Sequence, residues 1–204
     1  EKPEIYEKTY KFLEPQDYIN YKLTGKFASS YATVHMLWLT DIRDIKNITY
    51  SDKLIKILKI DKDKLPLDLG WSSDVLGNIK KDLADELGLS KEIKVVRGAP
   101  DLHAAAVGSG AVLDYEGHFC IGTSDWLLCH VPYKKTDIVH NMASAPSAKK
   151  EKFMIINEQE IAGGALNFLR DKILYHKDEL LAEQVIFDLK KIYAQILEEL
   201  KHHD

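Results

Sequence analysis

The chain has 204 residues, of which 45% are hydrophobic and 29% charged, and 28 Lys and Arg against 32 Asp and Glu leave a net charge of −4. That apolar share suffices for a packed core and excludes wholesale disorder, while the acidic balance argues against a broad nucleic-acid surface. No apolar run approaches the roughly 18 residues a membrane helix needs, and Glu1-Lys2-Pro3-Glu4 opens no signal-peptide core, so the expectation is a cytoplasmic protein with no nucleic-acid or membrane partner.

In chain order, apolar residues from Ile5 to Leu23, interrupted by Pro15, predict two helical pieces. The second starts at Glu14-Pro15-Gln16-Asp17 and stops at Thr24-Gly25. A loop is expected over Lys26–Tyr31, a helix over Ala32–Asp41, a turn over Asn47–Tyr50 and an amphipathic helix over Ser51–Leu58. Leu65 to Ser73 reads as a loop, and Leu83–Leu87 as a helix ended by Gly88. Ile93–Val96 reads as a short strand broken by Gly98-Ala99-Pro100, after which Asp101 stands at a helix N-cap. Strand, tight turn and helix in that order indicate an α/β fold. Gly108-Ser109-Gly110 and Asp114–Gly117 read as a crossover between domains.

His118–Ile121 and Trp126–Val131 flank the turn Gly122-Thr123-Ser124-Asp125, which predicts a β-hairpin. Phe153–Ile156 reads as a further strand, and Ala162-Gly163-Gly164 leads into a helix through Leu174. Val185, Ile186, Leu189, Ile192, Tyr193, Ile196, Leu197 and Leu200 mark one apolar face of a last helix.

Three short segments carry chemistry. Asp101 at a strand-to-helix turn is placed to act as a general base toward a hydroxyl, and an Asp there equally caps its helix. Gly122-Thr123-Ser124 offers N–H and O–H donors to a phosphate, and small polar residues equally suit a plain hairpin turn. Ala162-Gly163-Gly164 lets a ligand approach a helix N-terminus, or lets a helix pack closely. The eight histidines show no metal-binding spacing, so no metal site is expected. Cys120 and Cys129 form no CxxC pair and read as two buried thiols in a reducing compartment.

The run Phe12-Leu13-Glu14-Pro15-Gln16-Asp17-Tyr18-Ile19-Asn20-Tyr21-Lys22-Leu23-Thr24-Gly25 is similar to the "FL-x-P-x-DYI-x-Y-x-LTG" helix of the FGGY family of carbohydrate kinases. Gly98-Ala99-Pro100-Asp101, with Ala104-Ala105 and Gly108-Ser109-Gly110, resembles the turn and helix that carry that family's catalytic aspartate. Gly122-Thr123-Ser124 resembles its second phosphate-binding motif, and Ala162 to Asp171 its nucleotide-flanking helix. The four segments follow the family's order, and Gly122-Thr123-Ser124-Asp125-Trp126 resembles the xylulokinase-like branch.

The resemblance implies an actin-like, ribonuclease-H-like α/β fold with parts of two lobes. Residues 1–112 would be the latter part of the sugar-binding lobe, and 113–204 the start of the nucleotide-binding lobe. It implies phosphoryl transfer from ATP, with Mg²⁺, to a hydroxyl of a sugar or polyol, a xylulose-like substrate being favoured. Asp101 would be the catalytic base. Gly122, Thr123 and Ser124 would hold ATP phosphates, and Gly163 and Asn167 would lie against the nucleotide. His103 would be either a substrate contact or a structural residue. A homodimer is compatible with this reading.

The family's opening Asp-x-Gly-Thr motif, which grips phosphate and organises Mg²⁺, does not occur in this sequence. A complete kinase of this kind takes on the order of 450–500 residues, two lobes each near the upper end of domain size. The chain is therefore expected to be the central part of one. Two other classes remain open: a non-catalytic fragment or nucleotide-binding module, and an actin-like ATPase without a sugar acceptor.

Overall fold

A computed structural model describes residues 2–174 together with Lys190, Lys191, Ala194 and Glu198. The helix expected over the last twenty residues lies largely outside the described residues. The chain divides into two compact units, Glu1–Phe119 with Trp126–Glu158, and Cys120–Asp125 with Gln159–Asp204. The sequence reading divides the chain between 112 and 113 instead. The later strands join the first unit because Val131 and Phe153 bury against Ile42, Ile48 and Trp71.

The first unit opens with helices α1 (Pro3–Lys8) and α2 (Pro15–Thr24). Each starts on a proline, whose fixed φ and missing N–H cost nothing in a first turn. Gly25, at φ 77°, ends α2 in the left-handed region that favours glycine. Both helices agree with the expectation.

The next stretch departs from it. The expected loop at Lys26–Tyr31 contains strand β1 (Ala28–Ser30), and the expected helix from Ala32 to Asp41 is only α3 (Tyr31–His35). Beyond α3 the chain turns through Trp38, at φ 57°, into β2 (Thr40–Asp41), which pairs antiparallel with β3 (Thr49–Tyr50). Helix α4 (Asp52–Leu58) follows its Ser51 cap as expected. The loop expected from Leu65 contains β4 (Asp68–Gly70), parallel to β1. Strand β5 (Val75–Asn78), helix α5 (Lys81–Leu87) and strand β6 (Lys94–Val96) come next, with β5 and β6 antiparallel.

Helix α6 (Asp101–Gly108) then begins. Beyond it lies a four-stranded sheet in the order β7 (Gly117–Ile121), β8 (Asp125–Val131), β10 (Phe153–Gln159), β9 (Met142–Pro146). Strands β9 and β10 run antiparallel with Met154 opposite Ala145. The hairpin and β10 match the expectation; β9 adds a strand to it. Ala106 of α6, Leu128 of β8 and Met154 of β10 form one buried cluster, which seats α6 on the sheet.

In the second unit, α7 (Gly163–Phe168) continues as a π-helical turn over Leu169–Leu174, so the helix expected to reach Leu174 changes pitch at Leu169. Cys120 is exposed and Cys129 half-buried, which corrects the expectation of two buried thiols. Strand β7 is at the edge of its sheet, and Cys120 lies in a run of exposed residues at its end. No helix among the described residues is long and apolar enough to cross a membrane.

Candidate active site

Asp101 is the first residue of α6, not its cap; Pro100 holds the cap position and makes no side-chain cap bond. The Asp101 carboxylate is exposed, and its Oδ1 accepts from the N–H of the adjacent Leu102 at 2.8 Å. The capping role open to Asp101 is thereby reduced to this one local bond. Its second oxygen has no partner among the described residues, so the carboxylate keeps an acceptor for an incoming hydroxyl.

The turn before Asp101 is held from several sides. Gly98 stands at φ 82°, and its N–H donates to the Ser72 carbonyl at 2.9 Å. That φ favours glycine, and a Cβ at Gly98 would also displace the Gln16 side-chain amide. The Arg97 N–H donates to the Asp74 carbonyl at 3.1 Å. The Arg97 guanidinium, 8% exposed as a residue, donates to the carbonyls of Ser29 and Asp68 and to the Asp68 carboxylate at 2.6 Å. Beside this turn lies an open cleft of about 820 Å³ that Gly98 and Ala99 share with Ser72, Ser73, Lys149 and Lys150.

His103, two residues on from Asp101, is fully buried. Its Nε2 donates to the Pro146 carbonyl at 3.0 Å, and burial pushes its ring down to about 4. It ties α6 to β9 as a buried ring, and its Nδ1 is buried without a hydrogen-bond partner.

In the second unit, the residues matched to phosphate and nucleotide come together. The Gly122 N–H closes the hairpin turn on the Ser124 carbonyl at 2.7 Å. The N–H groups of Ala162 and Gly164 donate to the Thr123 carbonyl, and that of Gly163 to the Gly122 carbonyl at 2.9 Å. The first amides of α7 are thus spent on the turn's carbonyls. A Cβ at Gly163 would lie 2.5 Å from the Gly122 oxygen, so close packing explains this glycine.

What remains for an anion is the turn itself. The Thr123 and Ser124 N–H groups and hydroxyls take no partner among the described residues, and Thr123 is exposed. Successive free donors of this kind are the sort of groups that can hold phosphate oxygens. Asn167 is exposed on α7, one turn beyond Gly163. Among the described residues no group of three or more His, Cys, Asp or Glu gathers to hold a metal ion.

Asp101 and the hairpin turn stand out in the sequence, whereas the contacts of Gln16, Asn20 and Arg97 do not. Their signal was long-range: Gln16 and Asn20 reach Arg97 across 81 and 77 residues of chain.

The model of the FGGY family of carbohydrate kinases, N-terminal domain, matches residues 1–108. The xylulose kinase of Lactococcus lactis is 30% identical over 130 residues, which is 64% of this chain and 25% of that protein. The solved structure of ligand-bound xylulose kinase from Lactobacillus acidophilus superposes with a TM-score of 0.72 at 25% identity, over 84% of this chain and 34% of the other. The gluconate kinase of Lactobacillus acidophilus gives a TM-score of 0.75, also at 25% identity, over 88% of this chain and 35% of the other. The chain spans about a quarter to a third of the length of the curated relatives it matches. With the family model covering more than half of its residues, and with its actin-like ATPase fold shared by these kinases, the chain belongs to the FGGY family of carbohydrate kinases.

Proposed function

We propose that the chain is the central part of a kinase that transfers the γ-phosphoryl group of ATP to a hydroxyl of a sugar or polyol. The observation that carries this is Asp101: an exposed carboxylate with one oxygen free, at the start of a helix, on a turn fixed by Arg97 and Gly98. Asp101 is the general base. It takes the hydroxyl proton as that oxygen attacks the γ-phosphorus, and the bond to the β,γ-bridging oxygen breaks so that ADP leaves. Such catalysis is mostly positioning and charge stabilisation.

The Thr123 and Ser124 donors hold ATP phosphates, with Gly122 shaping the turn. Gly163 lets α7 sit against that turn, and Asn167 faces the nucleotide. Mg²⁺, when bound, neutralises phosphate charge; its ligands are not among the residues assigned here. Residues up to about 112 belong to the sugar-binding lobe and those beyond to the nucleotide-binding lobe. His103 is a packing residue.

Relatives named as xylulose kinases support a xylulose-like substrate, and the equal identity to a gluconate kinase makes a polyol acid the competitor to test. In a kinase of full family length that carries this sequence, Asp101→Asn should lower sugar-dependent ADP formation by roughly 10²–10⁴-fold. ATP affinity should stay within a factor of about two. Full turnover in that variant would overturn the assignment. ATP consumption that ignores added sugar would favour an ATPase instead.

A further inference from the structure

The Asp101 side chain has no partner on any other element among the described residues; its one bond is to the next residue's N–H. Its position is therefore inherited from the backbone that leads to it. Arg97 is the first residue beyond β6, with its N–H still bonded to the Asp74 carbonyl, and its own carbonyl receives two side-chain donors at once. Gln16 Nε2 donates to it at 2.5 Å and Asn20 Nδ2 at 2.7 Å. The two amides sit one turn apart on α2, so they reach the same oxygen from one helix face.

One donor would satisfy that carbonyl, since the cost of burial falls on groups left wholly unmade. A second donor restricts the direction in which the carbonyl can swing. Gln16 also fills the space where a Gly98 side chain would be, so it walls the turn as well as bonding to it. Between the clamped carbonyl and Asp101 stand only Gly98, at φ 82°, Ala99, and Pro100, at φ −57°. The guanidinium of Arg97 ties the other side of the same residue to β1 and β4.

We infer that Gln16 and Asn20 are positioning residues for Asp101, acting through the carbonyl of Arg97. This rests on Asp101 being the base. A misplacement of about 1 Å can cost on the order of 10² in rate. Loss of either amide therefore acts on turnover and leaves the chemistry of the carboxylate unchanged.

The test uses a kinase of full family length that carries this sequence. Gln16→Ala and Asn20→Ala should each lower kcat by roughly 10–100-fold. The KM for ATP and the apparent pKa of the kcat–pH profile should stay as in the parent. Gln16→Glu keeps the size and drops the donor, and should fall as far as Gln16→Ala. In an Asp101→Asn background neither alanine should cost anything further, because there is no base left to place.

A parent-like kcat in both alanine variants would overturn the inference, as would a loss that multiplies in the Asp101→Asn background. If Asn20→Ala fails to fold, Gln16→Ala carries the same test, since Gln16 is only partly buried. Full activity of Asp101→Asn would overturn the base assignment and the positioning together. A disabled Asp101→Asn beside unimpaired Gln16 and Asn20 variants would overturn the positioning alone.

Discussion

The two glycines of Ala162-Gly163-Gly164 look alike in the sequence but face different constraints. Gly163 meets the Gly122 oxygen at 2.5 Å from its would-be Cβ, whereas a Cβ on Gly164 would make only ordinary contacts, with the Thr123 methyl and the Thr123 oxygen each at 3.4 Å. Backbone oxygen cannot yield as a side chain can, so Gly163→Ala must push α7 away from the turn. Overpacking of this kind costs about 1–3 kcal/mol. The turn that it displaces carries the Thr123 and Ser124 donors, so nucleotide affinity should fall roughly tenfold, the equivalent of about 1.4 kcal/mol. Calorimetric titration with an ATP analogue checks the affinity, and urea unfolding checks the stability. Gly108→Ala is the control: nothing lies within 4 Å of its added Cβ, so stability should hold or rise. Unchanged affinity in Gly163→Ala would remove the turn from the nucleotide site.

At the scale of elements, what was legible had a local cause. Pro15 at the first position of α2 and Gly25 at its end bracket that helix without reference to anything distant. Ser51 before α4 and Gly88 after α5 do the same. The hairpin of β7 and β8 was legible because two apolar runs flank one short turn. Strands β1 to β4 were not, since each has two or three residues and exists only by pairing. Ala28 finds Asp68 across forty residues, and nothing in Ala28-Ser29-Ser30 alone marks a strand. The same limit hid Gln16 and Asn20, whose partner is distant, while Asp101 was visible because a Gly-Ala-Pro turn announces it.

The seat of α6 on its sheet gives this scale its prediction. Leu128 is fully buried between Ala106 and Met154, with Leu102, Trp126 and Ile156 around it. Leu128→Ala should cost about 2–5 kcal/mol, the transfer loss plus a cavity that a helix-on-sheet contact cannot fully close. Because α6 begins with Asp101, the variant should also lose turnover ahead of unfolding. A urea midpoint within error of the parent would show that the cluster does not anchor the helix.

Taken as a whole, the described chain buries three histidines and one lone carboxyl, and these set opposite pH responses. His35, His103 and His130 are 7%, 0% and 1% exposed. Burial holds each below the ordinary histidine range, His103 at about 4. Each keeps one ring nitrogen on a partner: Thr40, the Pro146 carbonyl and Ser147. Unfolded, these rings would take protons near 6.5. As pH falls from 7 to 5 the unfolded state therefore binds protons that the folded state refuses, and stability falls. His103 alone should contribute a loss of about 2 kcal/mol by pH 5, at about 1.4 kcal/mol for each unit below 6.5.

Asp17 works the other way. Burial, opposed by the Ser29 hydroxyl, pushes its carboxyl up to about 6. The folded state thus binds that proton first, between about 6 and 3.8, and gains stability as pH falls through the window. One such group offsets about 1.4 kcal/mol by pH 5, less than the roughly 2 kcal/mol His103 removes. The purified chain should therefore show a lower urea midpoint at pH 5 than at pH 7. The drop should be shallower in His103→Asn, which cannot take the proton when unfolded, and steeper in Asp17→Asn, which loses the offset. A midpoint that stays level or rises between pH 7 and pH 5 would mean that the histidines are not held neutral in the fold.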